Sequence, residues 1–134
     1  MKTFLSAYAA TAVCMLVLDV IWLSTMAGRL YRPLLGDLLA ADFRLAPAFA
    51  FYVLYVAGIV LLAVLPALDA ARWQTAAFNG LVLGLVAYAT YDLTNQATLR
   101  SWPAIITAID MTWGAFLTST AALAGYFGAL ALRS

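Results

Sequence analysis

Apolar residues run through this chain in four long stretches, separated by short segments that hold most of its Arg and half of its Pro and Asp. A helical crossing of a bilayer core about 30 Å thick takes about 20 apolar residues. The stretches therefore predict transmembrane helices over about residues 3–26, 46–65, 73–96 and 103–132. The first follows Lys2 and is longer than the ~7–15-residue core of a cleavable signal. It carries Asp19 and Trp22 instead of a small-residue cleavage site, so it reads as the first crossing, with Gly28-Arg29 marking its end. In the longest connection, RLYRPLLGDLLAADFRL, Pro33 suits a first helical position and Leu34, Leu35, Leu38 and Leu39 fall on one side. That pattern predicts a short interfacial helix over about residues 33–43, too short and too charged to cross. The second crossing is uncharged, opened by Pro47 and closed by Pro66, with Tyr52 and Tyr55 as its polar handles. Trp73 suits an interface anchor at the start of the third, and Pro103 precedes the fourth. The expected architecture is all-α: one domain over residues 1–134, a polytopic up-down bundle of four transmembrane helices.

Small residues recur every fourth position at Ala76, Gly80 and Gly84 and again at Ala121, Gly125 and Ala129. Such rows let neighbouring backbones approach closely. Packing within the chain is the preferred reading, and a homodimer seam is the alternative. Asn79 is expected to hydrogen-bond to a neighbouring helix.

Composition narrows the chemistry. Across 134 residues, 66% are hydrophobic and the mean hydropathy is +0.98, far above the roughly 45–50% apolar content of a soluble domain. Membrane lipid is thus the first partner. The net charge of +1 comes from seven dispersed Lys and Arg against six Asp, a distribution with no basic patch for nucleic acid. With no His, no Glu and a lone Cys14, thiolate and imidazole metal sites, His-ligated haem, and Ser-His-Asp or Cys-His catalysis lack their ingredients. No cofactor and no metal site is expected, and Cys14 reads as a buried, inert thiol. Lys2, Arg72 and Arg133 flank one membrane face, and Arg29, Arg32, Arg44 and Arg100 the other. Such a near balance decides little by the positive-inside rule; arginines held by intramembrane carboxylates count less, which tilts the expectation to cytoplasmic termini.

Three of the acids, Asp19, Asp92 and Asp110, lie inside apolar crossings. At about 1.5 Å per residue, an up-down order brings all three to roughly 5–10 Å below the face that carries the first and third connections. Asp19 and Trp22 form D-x-x-W, and Asp110 and Trp113 repeat it. Asp92 has Tyr88 four residues before it and Asn95 three after, separations that put side chains on one helix face. Tyr91, Arg100 and Trp102 complete the segment around it. Intramembrane ionisable groups are costly and normally face the bundle interior, so the expectation is one polar pocket between helices one, three and four, roofed by the interfacial helix. The competing reading is structural pairing, because Arg29, Arg32 and Arg100 share that face and can snorkel inward.

The segments LDVIWL at 18–23, Phe51-Tyr52, YATYDLTNQATLRSWP at 88–103 and DMTWG at 110–114 resemble the signature of a small bacterial membrane-protein family, domain of unknown function number 2177. The likeness spans essentially the whole chain. It implies a four-helix protein of the bacterial inner membrane and carries over no established activity. The matching positions are Asp19, Trp22, Tyr91, Asp92, Thr94, Asn95, Arg100, Trp102, Pro103, Asp110 and Trp113. The favoured function is binding or transport of a small amphipathic or lipid-like molecule, with proton coupling through an unpaired Asp. Two alternatives stay open. One is a metal-independent membrane enzyme that uses Asp as acid or base on an isoprenoid or lipid; the other is an accessory or structural membrane subunit.

Overall fold

The computed structural model describes residues 2–36 and 44–133, and every regular element among them is helical. Four helices are long and apolar enough to cross a membrane. They are α1 (Lys2–Leu35), α2 (Leu45–Ala70), α3 (Trp73–Thr98) and α4 (Ala104–Arg133). The protein is an all-α, multi-pass membrane protein.

Helix α4 packs along both α1 and α3, while α2 lies against all three. The α2 and α4 residues Ile59, Val60, Ala63, Val64, Leu117, Ala121 and Ala129 are fully buried, together with Ala7 and Met15 of α1. Residues such as Val13, Val17, Val20, Phe78 and Val86 are exposed, as expected of a lipid-facing surface. Apolar residues surround each helix, so hydrophobicity does not distinguish inside from outside. Small side chains do. Buried Gly84 packs where a Cβ would overlap the Gly114 carbonyl oxygen, and a Cβ on Gly80 would come within 2.9 Å of the Ser119 Cα. Without a hydrophobic force between helices in lipid, such close van der Waals contact is the main source of association. Both small-residue rows, from Ala76 to Gly84 and from Ala121 to Ala129, lie buried within the chain.

Prolines shape two of the helices. In α1 the ladder widens to a π-turn over Ala27–Tyr31, with the Arg32 N–H bonded to the Ala27 carbonyl. In α2 the same happens over Val60–Val64, with the Leu65 N–H bonded to Val60. Each π-turn ends two residues before a proline, Pro33 or Pro66. A proline has no N–H and its ring crowds the carbonyl four residues back, and a one-residue widening makes room for it. Four residues before Pro66 is Leu62, and the Asn79 amide of α3 donates to the Leu62 carbonyl at 3.1 Å.

The helix ends differ from those the sequence predicts. Helix one continues beyond Met26 to Leu35, because Gly28 weakens a helix by only about 1 kcal/mol and the π-turn accommodates Pro33. Residues 33–35 therefore belong to the extension of α1, Gly36 (φ 47°) ends it, and the rest of the predicted interfacial helix, residues 37–43, lies outside the described residues. Helix two likewise passes Pro66 and ends at Ala70. Left-handed Ala71 (φ 56°) lets the Arg72 N–H reach the Ala67 carbonyl at 3.1 Å and closes the end.

Candidate functional site

The extension of α1 decides how the site is covered. Leu30 and Leu35 pack with Ile106 of α4, flanked by Met26, Tyr31, Trp102 and Ile109. This apolar contact holds Tyr31 over the start of α4, where its hydroxyl donates to Asp110 Oδ1. The Trp22 indole N–H in turn donates to the Tyr31 hydroxyl at 3.0 Å. The D-x-x-W spacing puts each tryptophan one turn from its aspartate, and α1 packs on α4. The two indoles consequently stack, with centroids 4.3 Å apart and planes 9° from parallel.

Helix α2 supplies two more phenols. Tyr52 donates to Asp19 Oδ2, and the Tyr55 hydroxyl meets Thr118 Oγ1 at 2.7 Å. On the α3–α4 side, the Trp102 indole N–H donates to Thr107 Oγ1 at 3.1 Å, and that hydroxyl donates to the Asp92 backbone carbonyl at 3.5 Å. The Tyr91 and Trp102 rings meet edge to face at 5.8 Å.

Asp92 differs from the other two acids. It is fully buried, and neither carboxylate oxygen has a hydrogen-bond partner. Its neighbour is the Asp110 carboxyl, near enough for a hydrogen bond between the two once either is protonated, and Asp110 in turn feels Asp19. An ionised carboxylate without a partner in such a place costs several kcal/mol or more by desolvation alone. Something must neutralise it: a proton, or a cation brought from outside. The indole N–H of Trp113 is also buried without a partner.

An aromatic groove of about 300 Å³ opens beside this cluster, lined by Phe51, Ala87, Tyr88 and Tyr91. Tyr88 stands between the two. Its ring rests where a side chain on Gly114 would be, and its phenol is within electrostatic reach of Asp19, Asp110, Tyr52 and Tyr55. Phe51 stacks on Tyr55 with centroids 5.1 Å apart.

The structure thus brings together Asp19, Trp22, Tyr88, Asp92, Asp110 and Trp113, with Tyr91, Trp102 and half-buried Asn95 along the α3 edge. It does not bring in the arginines. Arg29, Arg32 and Arg100 are exposed, and among the described residues none pairs with a carboxylate. Their long, well-solvated heads stay at the membrane surface, where a charge costs least. The same exposure removes the reason for discounting them when membrane orientation is weighed.

Tyr31 is the residue that sequence reasoning misses. A helix assumed to end near Gly28 leaves Tyr31 in a loop, and only the π-turn carries it to Asp110. Proline at position 33 was the available signal. Tyr52 and Tyr55 are visible in the sequence as polar handles, but their acceptors are set by packing. The three carboxylates form no group that could hold a metal ion among the described residues.

No curated protein and no solved structure matches this chain. One family model does, over residues 4–127, and it covers every residue of the cluster described above. The chain belongs to the DUF2177 family of predicted membrane proteins.

Proposed function

We propose that this membrane protein binds, and by alternating exposure carries, a small amphipathic or lipid-like molecule whose polar end neutralises Asp92. The observation that carries the reading is the state of Asp92, which is fully buried, receives no donor at either oxygen and has a second carboxyl, that of Asp110, as its neighbour. The aromatic groove beside it supports an apolar body entering from the bilayer between α2 and α3. A structural anchor is normally paired. Asp92 holds a proton when the site is empty, and the ligand displaces that proton on entry, which couples uptake to proton release. The working place is the bacterial inner membrane. In this proposal two copies frame one path, and they meet through a face other than the small-residue rows, which are buried within the chain.

The test is native mass spectrometry of gently solubilised protein, which reads copy number and retained ligand together. The expected result is a bound molecule in the wild type that disappears in Asp92→Asn. Identical retained lipid in the wild type and in Asn variants of Asp19, Asp92 and Asp110 would sink the proposal.

A second reading has its own support. Asp19 and Asp110 each accept a tyrosine hydrogen bond, as polar groups that lock a bundle do. In that reading the protein is an accessory subunit. Loss of a copurifying partner protein in the Asp19→Asn and Asp110→Asn variants, with no retained small molecule, would favour it.

A further inference from the structure

We infer that the molecule taken up is a lipophilic cation, a protonated or quaternary amine or a chemically similar onium group on an apolar body. This deepens the proposed function and rests on it. The first argument is the charge inventory. The titratable groups facing Asp92 and its surroundings are Tyr31 and Asp19 from α1, Tyr52 and Tyr55 from α2, Tyr88 and Tyr91 from α3, and Asp110 from α4. All are acids or phenols. The nearest arginines by sequence, Arg29, Arg32 and Arg100, are exposed and unpaired with any of them. An anionic head group would meet like charge, hydroxyls and the single free indole N–H of Trp113, with no counter-charge, at low dielectric where repulsion is strong. A cation would supply the missing counter-charge.

The second argument is independent of the carboxylates. Three of the four residues lining the groove are aromatic, Phe51, Tyr88 and Tyr91. Aromatic faces carry negative potential and attract cations, most strongly when water is excluded. Asp92 itself does not line the groove, but Tyr91 is within electrostatic reach of Asp92, and Tyr88 of Asp19 and Asp110, so a cation over these rings is held in the field of all three carboxylates. The third argument is size. The groove volume of about 300 Å³ is at the lower end of small-molecule sites, about 300–1,000 Å³, enough for a charged head while the body stays in lipid. Because the cation replaces the proton on Asp92, its binding tightens as pH rises.

Two ions of the same shape and opposite charge make the test. Tetraphenylphosphonium and tetraphenylborate are titrated calorimetrically into the purified full chain in detergent. The expected result is binding of the phosphonium alone, with protons released into the buffer. Asp92→Asn weakens it by at least about 30-fold, as loss of a buried charge partner does. Phe51→Leu, which keeps the volume and removes the ring, weakens it by about 3- to 30-fold. Asp69→Asn, an exposed position on the opposite face, leaves it unchanged. Should Asp92→Asn fail to fold, the Phe51→Leu result and the phosphonium-to-borate ratio decide. Equal binding of the two ions, preference for the borate, or binding insensitive to both site variants overturns the inference. When neither ion binds but the native protein retains an Asp92-dependent lipid, the cation class falls and the ligand site stands. When neither ion binds and no lipid is retained, both fall.

Discussion

The indoles of Trp22 and Trp113 lie face to face, 4.3 Å between centroids, although 90 residues of chain lie between them. Each is one helical turn beyond an intramembrane aspartate, so the stack registers α1 against α4 and sets the distance between Asp19 and Asp110. A double-mutant cycle with Trp22→Leu and Trp113→Leu is expected to give a coupling of about 0.5–1.5 kcal/mol. Reversible unfolding in mixed micelles measures it, and additivity of the two substitutions would show the stack to be energetically idle.

The three aspartates are expected to respond differently to loss of charge or partner. Asp92→Asn keeps the shape and replaces a buried carboxyl that receives no donor and must stay neutral with a group that is always neutral, so stability should hold or rise. Tyr52→Phe and Tyr31→Phe leave Asp19 and Asp110 without a donor and should each cost about 0.6–1.7 kcal/mol, the range for interhelical hydrogen bonds in membranes. Thermal unfolding of the three variants side by side separates the cases. A drop for Asp92→Asn as large as that for Tyr52→Phe would mean that Asp92 is structurally paired.

Close helix approach is expected to make two glycines intolerant. A Cβ on Gly84 overlaps the Gly114 carbonyl, and one on Gly114 overlaps the Tyr88 ring. Either Ala substitution forces α3 and α4 apart and should cost about 1–3 kcal/mol or more. At Gly28 nothing lies within 4 Å of the added carbon, so Gly28→Ala should stabilise by about 0.5–1 kcal/mol through helix propensity. Similar unfolding temperatures for all three variants would contradict the packing described.

Asn79 is expected to matter because of Pro66. Its amide donates to the Leu62 carbonyl, four residues before that proline. Removing the donor with Asn79→Ala should cost about 1–2 kcal/mol. In a Pro66→Ala background, where an N–H is restored to the ladder, the same change should cost less than half as much. Equal costs in the two backgrounds would detach Asn79 from the proline.

How far the site could be read in advance depended on how much of it is local. Asp19 with Trp22, and Asp110 with Trp113, share a face by spacing alone, and an up-down order brings them to one depth. Tyr31 was hidden, because a change of helical register at a π-turn leaves no periodic signal of its own. The arginines misled because their position at the correct membrane face says nothing about whether they bend inward, and solvation holds them out.

By itself the amino-acid sequence determined the four crossings, since bilayer thickness sets a required apolar length and the composition satisfies it four times. It determined the family, through motifs that span the chain, and the rows of small residues that allow tight packing. Only the tertiary structure decided that α4 lies between α1 and α3, that two of the three aspartates receive tyrosine donors and that Asp92 receives none. The physical reason is that these helices are apolar on every side. Inward and outward faces are chosen by steric fit between backbones, and the partners of a buried polar group follow from that fit.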